Sequence, residues 1–459
     1  MFVLMLTAGL ISQLEPQSTA APATVTDTAP TSLAQLWDRF ERDESLPEKP
    51  VVSVRMKTGV GRSFDHLLNY PQLRHVTFER SIFPHTDDNQ QQEIDESSLR
   101  TIRNLPSLEQ LSFIDCGVSD ATIASLATSQ QINRLTFVQC DSFTGTGLSK
   151  FTHLRDLRLA HCPDVSDAGL AAIKTLPGLT TLSLTGCSAL TDATISTIED
   201  CFSLVALELS DVTRHSWKSQ SSTAQKGPQS QQITTTGVER LSRNPRLEEL
   251  TLSIHSIDEA SLEYVLAMPQ LRRLKLQRTA LSRKWLERVA GAKHLDRLTL
   301  DGCRLNSSDL SQLANADGLK DLRILSKFAH RSSADDIVEL QKCHNLDRLE
   351  LLGYQQIDAT VIAELSQMKN LRSLTLGDVH ILTPAIVDRL GRFDQLTTLV
   401  VETQDNLKTN LMQDRNGTTT AMQAVIDILS KRLPNTQITI NYQYRQDSFI
   451  QMMTLQSKK

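Results

Sequence analysis

Apolar residues recur along this chain in one short pattern, Leu-x-x-Leu-x-Leu, repeated about every 24 residues from Leu108 almost to the C-terminus. The clearest copy runs from Leu179 to Ile198. Within the pattern, apolar and polar residues alternate as in a half-buried strand, and the apolar spacing that follows is helical. Because no unit this short can bury its own apolar face, the copies are expected to stack on one another.

The first apolar position of each unit lies at Val51, Leu73, Leu108, Ile132, Leu154, Leu179, Leu204, Leu247, Leu271, Leu295, Leu319, Leu346, Leu371 and Leu396. A last strand is predicted at 437–441, after a helix-like stretch at Thr419–Leu433. Pairs such as Ser166 with Asp167 precede the predicted helices and are typical helix caps. Each unit is therefore predicted to be strand, turn, helix and return, and the units to form one long domain.

The cysteines follow the repeat rather than any pairing pattern. Those five residues after the second leucine position of their unit are Cys116, Cys140, Cys162, Cys187 and Cys303. The odd total of seven argues against a closed disulfide framework, and no Cys-x-x-Cys motif offers a metal site. We therefore expect buried free thiols, with no metal and no cofactor.

With its cysteine in place, the repeat resembles the cysteine-containing subtype of leucine-rich repeats over residues 51–441. It is similar to the repeat region of F-box and ribonuclease-inhibitor-like solenoids, although no F-box is evident. The resemblance implies an α/β fold: a right-handed horseshoe solenoid with about 15 parallel strands on the concave face and helices on the convex face. The units that begin at 247, 271, 346 and 371 lack the cysteine, which makes local curvature there less regular.

The flanking segments complete the predicted organisation. Residues 1–23 resemble a signal peptide, with an apolar run too short to span a bilayer and small residues after it, but no basic residue before it. Residues 24–50 are predicted to hold a linker and, at Leu33–Asp43, a helix that caps the first unit. Residues 442–459 are predicted as a tail. Export to the periplasm, cell surface or medium is favoured, and a cytoplasmic location is the alternative if the first segment is not a signal.

Insertions interrupt the rhythm at 81–94 and 213–232, and more mildly at Ser326–Ser333. All of them follow a strand and precede a helix, so we expect them on the same edge of the solenoid. Insertions on one face often mark a binding face, and tolerated polar loops are the alternative. Trp217 lies in the longer insertion, where an indole has little structural use, and is predicted to contact a partner.

Basic residues gather at the outward positions of neighbouring strands: Arg272, Arg273, Lys275, Arg278, Arg297 and Arg323. Strands in register would hold these side chains within roughly 5–10 Å of each other, a spacing suited to binding carboxylates. Acidic residues interleave, so a mutually neutralised, solvated face is the competing interpretation. The expected partner is a protein with an acidic surface. The net charge of −5 argues against a general nucleic-acid binder.

Catalytic motifs such as Gly-x-Ser-x-Gly, a Walker loop or His-Glu-x-x-His are absent from the sequence. The predicted function is a non-enzymatic protein–protein interaction scaffold that binds a macromolecular partner on its concave face and loop-bearing edge. One alternative is a substrate-recognition adaptor of a ubiquitin-ligase-like complex, which needs a recruiting element at 24–50. Another is an enzyme, enzyme regulator or inhibitor, with Arg158, His161 or the Arg272–Arg278 cluster as candidate contacts to an acidic substrate. No transmembrane segment is predicted, and the sequence gives no basis for an oligomeric state.

Overall fold

The computed structural model describes residues 37–58, 64–80, 94, 96–210, 233–253, 258–303, 305, 309–325, 337–353, 357–377, 382–404, 415–446 and 449–457. Within these ranges the chain forms one sheet of 17 strands. The strands are β1 (Trp37–Arg42), β2 (Val51–Thr58), β3 (His75–Arg80), β4 (Gln110–Ile114), β5 (Arg134–Val138), β6 (Asp156–Ala160), β7 (Thr181–Thr185), β8 (Ala206–Ser210), β9 (Glu249–Ser253), β10 (Arg273–Gln277), β11 (Arg297–Asp301), β12 (Asp321–Leu325), β13 (Arg348–Leu352), β14 (Ser373–Leu376), β15 (Thr398–Gln404), β16 (Gln437–Gln446) and β17 (Phe449–Gln456).

Each parallel strand is one copy of the apolar pattern. In β7, Leu182 and Leu184 are buried in the core, while Thr181 and Ser183 project from the opposite face. Strands β2 to β16 pair in parallel, each with the next in the chain, so that leucine lies beside leucine along the core; Leu182, for example, pairs with Leu157 and Leu207. The prediction of an α/β leucine-rich-repeat solenoid is confirmed, and this register fixes which side chains share the outer face of the sheet.

Helical segments form the second layer behind the sheet. The α-helices are α1 (Glu96–Arg103), α2 (Asp120–Leu126), α3 (Asp167–Leu170), α4 (Asp192–Glu199), α5 (Thr235–Leu241), α6 (Glu259–Leu266), α7 (Arg283–Gly291), α8 (Ala359–Leu365), α9 (Pro384–Leu390) and α10 (Arg415–Arg432). Other units hold a 3₁₀ turn, at Asp65–Asn69, Thr146–Lys150, Leu310–Asn315 and Glu339–Lys342, and a 3₁₀ turn at Ala171–Thr175 continues α3. The predicted cap is confirmed at Ser166, whose hydroxyl accepts a hydrogen bond from the Gly169 N–H. The helix predicted at Thr419–Leu433 is α10.

In three units, the aspartate that follows the helix cap binds the next unit. Asp167 accepts hydrogen bonds from the backbone N–H of Thr191 at 3.0 Å and of Thr194 at 3.1 Å, and from both of their hydroxyls. Two further aspartates act in the same way: Asp120 for Thr144, Gly145 and Gly147, and Asp192 for Thr234. The unpaired donors at a helix start are thus satisfied by the preceding unit, which locks neighbouring units together.

The cysteines follow the predicted burial. Cys116, Cys140, Cys162, Cys187, Cys201 and Cys343 are buried, Cys303 is partly exposed, and all seven are free thiols. Burial raises the pKa of Cys187 to about 12, so its thiol stays protonated and unreactive at neutral pH. Cys187 therefore fills space in the repeat rather than acts as a nucleophile.

Both ends of the sheet differ from the sequence prediction. The capping helix predicted at Leu33–Asp43 is wrong over its described part, because residues Trp37–Arg42 form β1, antiparallel to β2. The tail predicted at 442–459 is also wrong, because β16 continues to Gln446 and β17 pairs antiparallel with it. The physical reason is the same at each end. The outer strand of a parallel stack leaves a row of backbone donors and acceptors open, and a reversed strand satisfies them.

Several predictions fall where the chain is not described. The segment 1–23, the insertion at 213–232 and the interruption at Ser326–Ser333 lie outside the described residues. So does the insertion at 81–94 apart from Ile94, which is buried. Of the helices in the described ranges, none combines the length and the apolar character that crossing a membrane requires.

Candidate partner-binding site on the sheet face

The outer face of the sheet, here called the sheet face, carries columns of side chains set by the strand register. The central column runs through the middle residue of each strand, and its part from β10 to β13 is Lys275, Thr299, Arg323 and Glu350. The column beside it, from β9 to β13, is Glu249, Arg273, Arg297, Asp321 and Arg348. Neighbours within a column are about 4.8 Å apart, so their charges interact directly.

The first predicted basic residues meet acidic neighbours. Arg273 Nη1 lies 2.6 Å from Glu249 Oε1, and Lys275 Nζ lies 3.6 Å from Asp301 Oδ2. Arg272 lies 3.5 Å from Asp296, which Lys320 also approaches to 3.8 Å. These side chains are partly exposed; Arg273 and Lys275 each lie near a carboxylate, and Arg272 and Lys320 share that of Asp296. Around these residues the geometry agrees with the competing interpretation, in which opposite charges neutralise each other on a solvated face.

The arrangement around Asp321 is different, because one carboxylate serves three guanidinium groups. The Asp321 side chain is only 10% exposed, and its oxygens lie 2.7 Å from Arg297 Nε and 3.9 Å from Arg348 Nη1. Arg323 donates to it through Nε at 3.0 Å and Nη2 at 3.1 Å, and these hydrogen bonds raise the pKa of Arg323. The close contact of Arg297 is an ion pair without hydrogen-bond geometry, since its Nε has no acceptor in line.

Glu350 completes this group, which we call the Asp321 cluster: Arg297, Asp321, Arg323, Arg348 and Glu350. The Glu350 carboxylate lies 3.7 Å from Arg323. Burial raises the pKa of Glu350, and the positive charge of Arg323 opposes that rise. Even with Glu350 ionised, three cations face two carboxylates. The cluster therefore holds a positive excess, which an added carboxylate would balance.

Arg297 and Arg348 carry the exposed part of that excess. Their side chains are 39% and 45% exposed, and they flank Asp321 in the same column, on β11 and β13. A guanidinium has five N–H donors, so one contact to Asp321 leaves most of them available to solvent or a partner. Chemically, the pair can bind a carboxylate from outside the chain.

Arg348 was missed in the sequence because the candidate residues were sought around Arg272–Arg278 and along the central column. The signal was present two residues before the central column in each strand, where Arg273, Arg297 and Arg348 occupy the same place in their units. Reading every outward position of each unit, rather than the middle one, would have found it.

Arg278 and Trp217 are two further residues that the sequence predicts as partner contacts. Arg278 follows β10 with a left-handed backbone (φ 56°), and its N–H donates to the Asp301 carbonyl at 2.8 Å. Trp217 lies outside the described residues. Whether either contacts a partner stays a prediction.

Arg158 and His161, two of the contacts proposed for an enzyme or enzyme regulator, lie on another part of the sheet. Arg158 donates to both carboxylate oxygens of Asp156, at 3.1 and 3.2 Å, so its charge is already paired. His161 follows β6 with a left-handed backbone (φ 57°), and its N–H donates to the Thr185 carbonyl. Among the residues that the structure describes, no group of three or more His, Cys, Asp or Glu could hold a metal ion.

Three solved structures are similar to this chain at low sequence identity. No model of a known protein family matches it. Internalin InlF of Listeria monocytogenes is similar with a TM-score of 0.36 and 17% identity, over 78% of this chain and 86% of the internalin. A leucine-rich-repeat protein of Leptospira interrogans gives a TM-score of 0.38 and 13% identity, over 84% of this chain and 89% of that one. TLR13 in its complex with ssRNA13 gives a TM-score of 0.45 and 12% identity, over 83% of this chain and 61% of that one. The strand register itself, rather than these similarities, establishes the leucine-rich-repeat solenoid.

Proposed function

We propose that the protein is a non-enzymatic interaction scaffold that binds an acidic segment of a protein partner on its sheet face. The observation that carries the proposal is the sharing of Asp321 by three arginines. A carboxylate from the partner would lie against Arg297 and Arg348 and balance the positive excess of the cluster. Hydrogen bonds between guanidinium and carboxylate are charge-assisted and directional, so such a contact would provide specificity as well as affinity.

A protein partner is favoured over a nucleic acid by the charges around the cluster. Glu249 on β9, Asp296 just before β11 and Asp301 at the end of β11 would oppose a continuous line of phosphates. A protein segment can place single acidic side chains at the arginines and neutral ones beside these carboxylates. The RNA in the TLR13 structure is a property of that protein and lends no support here.

The test is selection of peptides from a displayed random library with the full chain, followed by affinity measurement on the enriched sequences. Enriched peptides are expected to carry Asp or Glu. Arg297→Ala and Arg348→Ala are each expected to weaken binding about tenfold, the equivalent of about 1.4 kcal/mol. Rising ionic strength is expected to weaken it further, because the arginines are partly exposed.

The matched control is Arg288→Ala on α7, which removes an arginine paired with Glu263 at 2.6 Å on the helix side. It changes the net charge by the same amount and is expected to leave peptide affinity unchanged. Enrichment of basic or neutral peptides would contradict the proposal, as would equal losses in all three variants. Tighter binding of a single-stranded RNA than of any acidic peptide would assign the site to nucleic acid instead.

The adaptor alternative gains no support from the described part of its required segment. In 24–50, residues Trp37–Arg42 form a strand that covers the edge of the sheet, and this part holds no recruiting helix. Its test remains a pull-down of a ligase core by residues 24–50 on an inert carrier. Retrieval of such a core would revive the adaptor.

We also propose that the protein is exported, on the strength of the apolar run and small residues in 1–23. N-terminal sequencing of the mature protein from its native cell is expected to begin after this segment. An intact Met1 would contradict export and leave the protein in the cytoplasm.

A further inference from the structure

Over the residues that the structure describes, the sheet is bounded by two edge strands of opposite character. At one end, β1 carries charged residues at Asp38, Arg39, Glu41 and Arg42, and its pairing with β2 contains two register shifts. At the other end, β17 has the sequence FIQMMTLQ, without charge or proline, and pairs with β16 in unbroken register. Charges and irregular pairing are the usual protection of an edge strand. The first edge has this protection, and the second lacks it.

The backbone of β17 offers donors and acceptors on its outer side. The Ser457 N–H donates to the Ile438 carbonyl at 2.9 Å, directly across from β16. Because such pairs alternate along antiparallel strands, the backbone groups of Phe449, Gln451, Met453 and Leu455 also point towards β16. Those that point away belong to Ile450, Met452, Thr454 and Gln456. Over the ranges that the structure describes, no strand pairs with this outer side.

We propose that β17 pairs antiparallel with β17 of a second copy, so that two solenoids join end to end into one sheet. An uncharged strand can lie beside its own copy without like-charge repulsion. Two-fold pairing satisfies both edges at once and closes the assembly. Pairing of β17 with β1 of another copy would instead propagate without end, and the charges and register shifts of β1 oppose it.

The two-fold axis also restricts the register. With the axis perpendicular to the sheet, both copies have the same face of the sheet on the same side. The backbone groups of β17 that point away from β16 must then lie opposite the same groups of the second copy. A register centred on Met452 meets this condition, with Ile450 opposite Thr454 of the second copy. It uses nearly the whole strand. One strand pair is a small interface, so association is expected to depend on protein concentration.

The test is sedimentation velocity of the full chain over a range of micromolar concentrations. A monomer–dimer equilibrium without larger species is expected. Thr454→Pro removes an outward N–H in each copy while leaving the donors towards β16 in place, and is expected to weaken dimerisation about tenfold or more. Met452→Lys, which places like charges beside each other at the axis, is expected to weaken it as well.

Glu41→Gln on β1 is the matched control and is expected to leave the equilibrium unchanged. Met452→Cys is expected to form a covalent dimer under mild oxidation, whereas Gln456→Cys, far from the axis, is not. Circular dichroism checks that each variant is folded. A chain that stays monomeric at every concentration would overturn the proposal. Dimers that persist in folded Thr454→Pro and Met452→Lys, or species that grow beyond the dimer, would overturn it too.

Discussion

A single carboxylate can decide how two neighbouring units fit together, and Asp167 shows how. It accepts hydrogen bonds from Thr191 and Thr194, which belong to the next unit. Burial raises the pKa of Asp167, but the hydrogen bonds from these threonines outweigh it and hold the pKa below its ordinary value. The folded protein thus favours the ionised carboxylate, which links its stability to pH.

Asp167→Asn is expected to lower the free energy of unfolding by about 2 kcal/mol at neutral pH, because an amide oxygen cannot replace both carboxylate oxygens. A lowered pKa in the folded state contributes stability above the unfolded pKa of about 3.9, and this contribution is lost as pH falls through the folded value. The difference between wild type and variant should therefore narrow below about pH 4. Chemical denaturation at a series of pH values measures it.

Asp200→Asn is the control for that experiment. Asp200 is exposed and lies 4.0 Å from Lys174, also exposed, so its loss should change stability by less than about 0.5 kcal/mol. Equal effects at both aspartates would show that the contacts of Asp167 do not stabilise the fold beyond a surface charge.

At the scale of elements, β3, β4 and β5 share a feature that the other strands lack. They carry Phe78, Phe113 and Phe137 at a core position where β6 to β8 have leucine. The rings stack, with centroids 5.6 Å apart for Phe78 and Phe113 and 5.2 Å apart for Phe113 and Phe137. Phe143 continues the stack at 4.2 Å from Phe137. Aromatic packing therefore joins the N-terminal units more specifically than leucine contacts do.

Phe113→Ala is expected to cost about 3–5 kcal/mol, since it leaves a cavity in the middle of the stack, and Phe113→Leu about 1–1.5 kcal/mol. Because each unit contacts mainly its neighbours, faster hydrogen exchange should appear in β3 to β5 and not in β13 to β15. Leu351→Ala on β13 is the matched change and should show the reverse distribution. Uniformly faster exchange along the whole chain in both variants would contradict this local behaviour.

The elements that could be predicted from the sequence are those that repeat. Leu182 and Leu298 lie in similar surroundings, so one pattern predicts both strands, their register and the central column of the sheet face. β1 and β17 could not be predicted, because their strand state depends on which edge remains open after the repeats have stacked. The positive excess around Asp321 could not be predicted from the sequence either, because it depends on side-chain geometry across three strands. Asp321 was seen in the sequence only as one acid among several.

At the scale of the whole molecule, the core is one continuous row of buried side chains from Val51 to Ile440. Whole units can be added to or removed from such a core, because neighbouring units make similar contacts. Removal of residues 179–203 would place Arg158 beside Glu208, two opposite charges, and Asp167 beside Thr234. The deletion thus provides similar partners for these two contacts.

We expect the chain without 179–203 to fold with one strand fewer and only moderately lower stability. Circular dichroism, thermal unfolding and protease resistance measure this, and binding at the Asp321 cluster should persist. A deletion of 179–192, which breaks the period, is the control and should not fold. Loss of structure in both chains would show that the units are not interchangeable.

The contacts between units also have a direction, which bears on how the chain is made. Where an aspartate or glutamate accepts hydrogen bonds from the helical segment of the next unit, the acceptor lies earlier in the chain than its donor, as it does for Asp167 with Thr191, Asp65 with Thr101 and Glu259 with Ser282. During synthesis, each new helix therefore meets an acceptor that has already left the ribosome. A chain stopped early leaves its last carboxylate in water at little cost, whereas a chain without its first units leaves a helix start unsatisfied. We expect the nascent protein to fold unit by unit behind the ribosome, in the order in which it is translated.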